Sequence, residues 1–235
     1  MTNLRTLIFY ATPEHDCSYL PDRQAVTLFV DPSLPVSDTL YTRLSQIGFR
    51  RSGQHYYRPK CHNCQACVPV RVPVWDFEWK RTHRRVLKAN AHLTLQNRPV
   101  DFYPEHFDLY CRYIEARHRD GDMYPPSREQ YDSFLLDARP GSFLMEFREH
   151  DAVVCVAVVD RLQDGLSAIY TFFSPDHPRN SLGTLAILHQ IHQCQLFSLP
   201  YLYLGYWIEH SPKMAYKNRF TPLEYYINQE WRRKD

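Results

Sequence analysis

Short apolar runs bounded by turn residues fill the last third of the chain, and runs with a helical period occupy much of the middle. From residue 142 onward, SFLMEFRE and AVVCVAVVD are separated by the polar residues 149–151, and LSAIYTFF comes next across Asp164-Gly165. Apolar runs of this length, closed by turns, read as three antiparallel strands, the first two forming a hairpin. A polar loop over 176–181 then leads into a long helix and the aromatic strand YLYLGYW. A short helix opened by Ser211 and Pro212 and a last strand reaching Tyr225 complete the pattern. Tyr170, Phe172 and Phe173 lie on the strand before the long helix, and Tyr201, Tyr203, Tyr206 and Trp207 on the strand after it. Neighbouring strands joined by a crossover helix leave a cleft at their carboxyl ends. That cleft is the expected site.

The earlier part of the chain is more mixed. Residues 24–30 alternate as a strand that Asp31-Pro32 ends. Ser37 or Asp38 can cap a helix with Leu40, Leu44 and Ile47 on one face and Gly48 as its stop. Residues 54–58 and 68–74 read as strands, and Pro69 and Pro73 point to an edge strand or extended segment for the second. Helices are predicted over 82–91, 104–118 and 128–138, with a short strand in HLTLQ and an irregular loop in RDGDMYPPS. Two helices, three antiparallel strands, then helix–strand–helix–strand is the order of a GNAT-type acyltransferase. The expected fold class is therefore α+β with a mixed central sheet. A small cysteine-containing region, residues 1–74, precedes a GNAT-like domain over 75–235.

Composition adds limits. A chain of 235 residues with 44% hydrophobic and 23% charged residues is ordinary for a soluble globular protein. Its net charge of +2 supplies no global attraction for nucleic acid, so any such attraction must be local. No apolar run approaches the roughly 20 residues that cross a bilayer, and the amino terminus lacks a signal-peptide pattern. A cytoplasmic protein with no membrane partner is expected. Seven cysteines, an odd number, fit a reducing compartment better than a disulfide framework. Cys111, Cys155 and Cys194 fall in predicted helix or strand and read as small buried apolar residues.

Four groups of residues carry candidate chemistry. Cys61, Cys64 and Cys67 at x2 spacing, with Cys17 upstream, can face one centre and hold zinc or an iron–sulfur cluster. Packed thiols near a loop are the plainer reading. In a basic run that begins at Lys80, Arg81, Arg84, Arg85 and Lys88 form one cationic helix face, with no acidic residue between Glu78 and Asp101. That face suits a phosphate backbone, whereas Trp75 and Trp79 read as packing residues. In the cleft, Arg179-Asn180-Ser181-Leu182-Gly183-Thr184 has one glycine at the wrong offset for a pyrophosphate cradle, which argues against CoA as acyl donor. Downstream, Lys213, Lys217 and Arg219 can hold an acidic substrate, and Arg117, His118 and Asp120 gather at a helix end. A surface-charged helix is the bland reading of the first group, and a structural histidine that of the second.

Several stretches resemble a known family: Cys17-Ser18-Tyr19-Leu20-Pro21, YYRPKCHNCQACVPVRVPV, KRTHRRVLKAN, YIEARHRDGDM, IYTFFSPDHPRNSLGT and YLGYWIEHSPKMAYKNRFTPLEYY. Together they are similar to the bacterial aspartate/glutamate leucyltransferases, relatives of the eukaryotic arginyl-tRNA–protein transferases of the N-degron pathway. Eukaryotic members carry CxxC where this chain has Cys17-Ser18-Tyr19-Leu20. The resemblance implies that the amino-terminal α-amine of a protein beginning with Asp or Glu attacks the ester of leucyl-tRNA, with no cofactor required for transfer. We assign the basic helix to the tRNA acceptor arm, Arg117, His118, Lys213, Lys217 and Arg219 to the acceptor, and Tyr170 and Tyr206 to contacts with the reacting centre. Asp160, at a strand end, would hold or deprotonate the amine, or else be a turn residue. Arginine as the transferred group and a non-enzymatic metal-containing RNA-binding module are the competing readings.

Overall fold

The computed structural model describes residues 7–137, 139–177 and 180–234. Its first part holds β1 (Phe9–Ala11), β2 (His15–Asp16), β3 (Gln24–Ala25), β4 (Thr27–Val30), α1 (Asp38–Gln46), β5 (Arg50–Ser52), β6 (His55–Pro59) and β7 (Val68–Pro73). Next come α2 (Arg81–Ala89), β8 (Thr94–Pro99), α3 (Pro104–Arg117) and α4 (Arg128–Tyr131), which runs on as a π-helical turn over Asp132–Leu136. The last part holds β9 (Ser142–Glu149), β10 (Ala152–Arg161), β11 (Gly165–Phe173), α5 (Leu182–Leu196), β12 (Tyr201–Trp207), α6 (Pro212–Ala215), β13 (Glu224–Ile227) and β14 (Glu230–Arg233). The fold is mixed α+β, and among the described residues no helix is long and apolar enough to cross a membrane.

An eight-stranded mixed sheet in the order β14-β13-β7-β12-β11-β10-β9-β8 organises the molecule. Its one parallel pair is β11 with β12, the pair that α5 connects. The apolar run of β10 supplies both faces, because successive side chains of a strand point to opposite sides. Cys155, Ala157 and Val159 join the core beneath Leu185, Leu188 and Ile191 of α5. Val156 and Val158 join the other core, with Leu109, Tyr110 and Ile114 of α3. Burial on both sides explains why the strand reads as a continuous apolar run. Cys155 and Cys194 are buried and Cys111 is half-buried.

A four-stranded sheet, β1-β4-β6-β5, carries the amino-terminal region. Ser37 caps α1 by accepting a hydrogen bond from the Leu40 amide at 3.2 Å, and Gly48, at φ +87°, ends it. Leu40, Tyr41, Leu44, Phe49 and Tyr56 share a core with Leu162 and Tyr203, which belong to the large sheet side.

The edge-strand expectation for residues 68–74 is corrected: β7 lies inside the large sheet, between β12 and β13. The sheet tolerates the prolines because β13 pairs with β7 only at Arg71 and Val70. Pro69 and Pro73 fall outside that stretch, and a register shift at Tyr203/Gly205 interrupts the ladder on the β12 side. A segment from the cysteine-containing region therefore completes the sheet of the larger one.

Gln190, on α5, is fully buried, and neither its amide nitrogen nor its amide oxygen has a partner among the described residues. A buried unpaired amide costs about 1–3 kcal/mol. Gln190→Met, close in length and shape, is expected to raise the denaturant midpoint by a corresponding amount with no change in cooperativity. A lower midpoint would show that the amide is satisfied.

Candidate active site

The parallel strands β11 and β12 form a wedge. They pair only at Gly165, Leu166 and Ser167 with Tyr201, Leu202 and Tyr203, after which no register links them. Gly165 sits at the closed end, where a Cβ would meet the Tyr201 carbonyl oxygen at 2.4 Å. Beyond it the diverging strands leave backbone carbonyls without a ladder, and such groups need partners. Arg50, from β5, supplies them. Its Nη1 donates to Ser167 Oγ at 2.8 Å and to the Tyr203 carbonyl at 3.4 Å, while Nη2 donates to the Ala168 carbonyl. Gly205, at φ +80°, makes room, since a Cβ there would lie 3.0 Å from Arg50 Nε. Sequence reasoning missed Arg50. Its only signal is a pair of arginines in a short strand before the Gly53 turn.

The neighbouring Arg51 explains Asp160, whose expected role is corrected. Asp160 is 1% exposed and accepts hydrogen bonds from Arg51 Nε at 2.6 Å, Arg51 Nη2 at 2.9 Å, Tyr41 OH at 2.8 Å and Ser142 Oγ at 2.6 Å. Burial alone would raise its pKa, but the Arg51 charge and these hydrogen bonds outweigh burial and lower it. A carboxylate so occupied neither reaches an incoming amine nor takes its proton. It fastens α1 and β5 to β9 and β10.

Tyr206 is corrected in the same way. It is buried, and its hydroxyl donates to the carbonyls of Gly48, at 2.9 Å, and Tyr57, at 3.2 Å, which locks the amino-terminal region onto β12. Tyr170 is half-buried, with its hydroxyl 3.6 Å from Met123 Sδ and its ring against Phe134 at 5.2 Å and Tyr113 at 6.3 Å. Burial raises its pKa, so it stays a neutral phenol.

The expected cluster of Lys213, Lys217 and Arg219 is divided. Lys217 is buried and donates to the Tyr206 carbonyl at 2.5 Å, so it does not offer a surface charge to an acidic substrate. Burial first, and Arg50 second, push its pKa down to about 7, while Cys67 opposes them. Lys213 is exposed and pairs with Asp120 at 2.9 Å, and Arg219 is exposed on the next turn. Arg117 stands 5.5 Å over the ring of Phe173, at the end of β11. His118 Nε2 lies 3.5 Å from Tyr113 OH, and burial and then Lys213 lower its pKa. Arg117 and His118 thus lie by the end of β11, and Lys213 reaches the loop after them through Asp120. Arg179 lies outside the described residues, and Asn180 and Ser181 lead directly into α5.

Cys17, Cys61, Cys64 and Cys67 are all half-buried. The Cys17 amide bonds the Arg23 carbonyl at 2.9 Å, and Cys61 Sγ lies 3.9 Å from the Val26 carbonyl, so the β2–β3 pair carries Cys17 toward the triplet. Burial pushes the Cys67 thiol up to about 12, and Cys17, Cys61 and Cys64 add to that push. Four half-buried thiols are the kind of donor set that zinc or an iron–sulfur cluster takes. Among the described residues the one three-ligand group gathered within 4.8 Å is instead Glu105, His106 and Glu146. His106 Nε2 meets Glu146 at 2.5 Å, Arg148 Nε binds the other Glu146 oxygen at 2.8 Å, and Arg148 also pairs with Glu105. Those carboxylates are already neutralised.

The basic helix keeps its expected face. Lys80, Arg81, Arg84, Arg85 and Lys88 are all exposed, whereas His83 is buried, stacked 5.1 Å from Phe77 and 6.0 Å from Phe220. His83 thus pins α2 and turns its cations outward. At the other end Asn90 Nδ2 donates to the Asn180 carbonyl at 2.8 Å, tying α2 to the loop that opens α5. The cationic face therefore leads toward the wedge. Trp79 packs on Phe77 at 5.0 Å, but Trp75 is 61% exposed, which corrects its reading as a packing residue.

Comparison with known proteins places the whole chain in a family. Residues 15–85 match the family model described as arginine-tRNA-protein transferase, N terminus, and residues 105–227 match its C-terminus counterpart. A protein of Hahella chejuensis named aspartate/glutamate leucyltransferase is 54% identical, covering 98% of this chain and 99% of that one. The protein of that name from Pseudomonas entomophila is 55% identical and covers 98% of each. Among solved structures, L-PGS from Bacillus licheniformis overlaps 60% of this chain and 45% of its own at 11% identity and a TM-score of 0.44. With both halves of the family matched in order and relatives over half identical along nearly the full length, the chain belongs to the arginine-tRNA–protein transferase family.

Proposed function

We propose that the protein moves leucine from leucyl-tRNA to the amino-terminal Asp or Glu of proteins, making an N-degron. The observation that carries this reading is identity above half with aspartate/glutamate leucyltransferases across nearly the whole of both chains. The eight-stranded sheet with its single splayed parallel pair supports a GNAT-type fold for the transfer unit. Residues 75–235 carry that unit, and residues 1–74 carry the cysteines and lend β7, Arg50 and Arg51. A cytoplasmic setting supplies both substrates.

The chemistry asks little of the protein. An α-amine titrates near pH 8, about 7.7–8.0, so a useful fraction is neutral. Its nitrogen attacks the ester carbonyl of leucyl-tRNA, the C–N bond forms, the C–O bond to the terminal ribose breaks, and the amine proton leaves as the tRNA hydroxyl regains one. An activated ester and a free amine need placement above all, and placement alone is worth several orders of magnitude. The cationic face of α2 holds the acceptor arm, the open end of the wedge receives the aminoacyl end, and the Arg117, His118 and Lys213 group receives the acidic acceptor. Arg50 and Lys217 keep the two strand ends apart by satisfying the carbonyls that the splay leaves over.

Cys17, Cys61, Cys64 and Cys67 would hold a structural zinc or an iron–sulfur cluster, which would fasten the amino-terminal region rather than take part in transfer. Metal analysis of reduced protein, prepared anaerobically and in air, is expected to find zinc, or iron with sulfide, and to lose it in Cys67→Ser. Absence from both wild-type preparations removes the metal from this site. Donor choice is tested by competition. Unlabelled leucyl-tRNA is expected to suppress labelled transfer, while arginyl-tRNA at equal concentration leaves it unchanged. The opposite order would make arginine the transferred residue.

A further inference from the structure

A carboxylate that the reaction does not need lies across the open end of the wedge. Asp120, in the loop after α3, accepts two hydrogen bonds from Lys213 Nζ, at 3.0 and 2.9 Å. α3 covers the end of β11, with the Tyr113 ring 4.9 Å from Phe173 and Arg117 above the same ring. α6, which carries Lys213, comes after β12 and is held to it by Trp207 Nε1 donating to the Ala215 carbonyl at 3.2 Å. The ion pair therefore joins the loop beside the end of one splayed strand to the short helix beyond the end of the other.

Its surroundings are those of a carboxylate-binding site. Lys213 holds Asp120, Arg117 stands over the Phe173 ring, and His118 Nε2 lies 3.5 Å from the hydroxyl of Tyr113, whose ring packs on Phe173. The side chains of Lys213 and Asp120 are 51% and 72% exposed, so water and a competing ion reach both. An exposed pair of this kind contributes little to stability. The acceptor, on the leucyl-transfer reading above, must bring a side-chain carboxylate here while its amine approaches the ester.

We propose that Asp120 is an internal stand-in for the acceptor's acidic side chain. It occupies Lys213 in the free protein and is displaced when the carboxylate of an amino-terminal Asp or Glu takes its place. Lys213 is then the residue that selects acidic amino termini, and Asp120 is a built-in competitor that sets how tightly they bind. Lys213 keeps one carboxylate partner or the other throughout.

Steady-state transfer with Asp- and Glu-initiated peptides tests this. Asp120→Asn is expected to lower the peptide KM about two- to fivefold, the range that an exposed ion pair spans, with the KM for leucyl-tRNA unchanged. Lys213→Met is expected to raise the peptide KM about tenfold. The double variant should match Lys213→Met alone, because Asp120 acts only through Lys213. An unchanged or raised peptide KM in Asp120→Asn overturns the proposal, as does an Asp120 effect that persists without Lys213. Should Lys213→Met fail to fold, Asp120→Asn decides alone. A wild-type protein that transfers leucine while Asp120→Asn changes nothing sinks this proposal and leaves the reaction standing. A wild-type protein that transfers to no acidic peptide removes both.

Discussion

Asp160→Asn is expected to lower the unfolding free energy by about 3–5 kcal/mol, the loss seen when one partner of a buried ion pair is removed. The substitution keeps the shape of the side chain but strips the charge opposite Arg51, whose side chain is fully buried. It also replaces an acceptor of four hydrogen bonds with an amide that can only partly accept them. The elements that part company are α1 and β5 on one side and β9 and β10 on the other, so the amino-terminal region should loosen from the large sheet. The pH dependence carries a sign. The folded-state pKa of Asp160 is lowered, so its stabilisation is present above the unfolded value of about 3.9. It is lost as pH falls through the lower folded value. Wild type should therefore lose in acid a component of stability that Asp160→Asn never had, and the two denaturation curves should converge. Parallel curves at all pH values, or a stability loss below about 1 kcal/mol, the usual effect of an exposed site, would place Asp160 outside the structural ion pair.

Reversing Arg84 and Arg85 together to Glu is expected to raise the KM for leucyl-tRNA while leaving the melting temperature close to wild type. Both side chains are exposed on α2, and the helix is held instead by His83 between Phe77 and Phe220. Each phosphate contact contributes about 0.9 to the slope of log affinity against log salt. Removing two should flatten the slope by about 1.8 and make the variant roughly tenfold less sensitive than wild type between 50 and 200 mM salt. The peptide KM should not change with it. Equal slopes would return α2 to an ordinary solvated face and move the tRNA elsewhere.

The range over which residues act decides which elements are legible in the sequence. The hairpin β9–β10, the strand β11 and the helix α5 are legible because their apolar runs bury locally repeating faces, as the alternation of Cys155, Ala157 and Val159 with Val156 and Val158 shows. The cationic face of α2 is legible because it lies within one helix. Arg50 and Arg51 are not. In a three-residue strand they read as surface charge, and their partners Ala168 and Asp160 lie 118 and 109 residues away. Tyr206 belongs to an aromatic strand and so reads as a cleft residue, yet its hydroxyl is claimed by Gly48, 158 residues earlier. Lys217 reads like its neighbours Lys213 and Arg219, and only the packing of its turn against β12 separates a buried ammonium from two exposed cations. The two prolines of β7 mislead for a related reason. The rule that keeps proline out of inner strands acts through hydrogen bonds, and here the neighbouring strand is too short to ask for them.

The wedge and its approaches make one central claim, that leucine passes from tRNA to an acidic amino terminus on this chain. Incubating the purified protein with labelled leucyl-tRNA and peptides beginning with Asp, Glu, Lys or Arg measures it directly. Label is expected on the Asp and Glu peptides, attached through the α-amine, and not on the Lys or Arg peptides. A folded protein that labels none of them, or labels the basic pair instead, would contradict the claim.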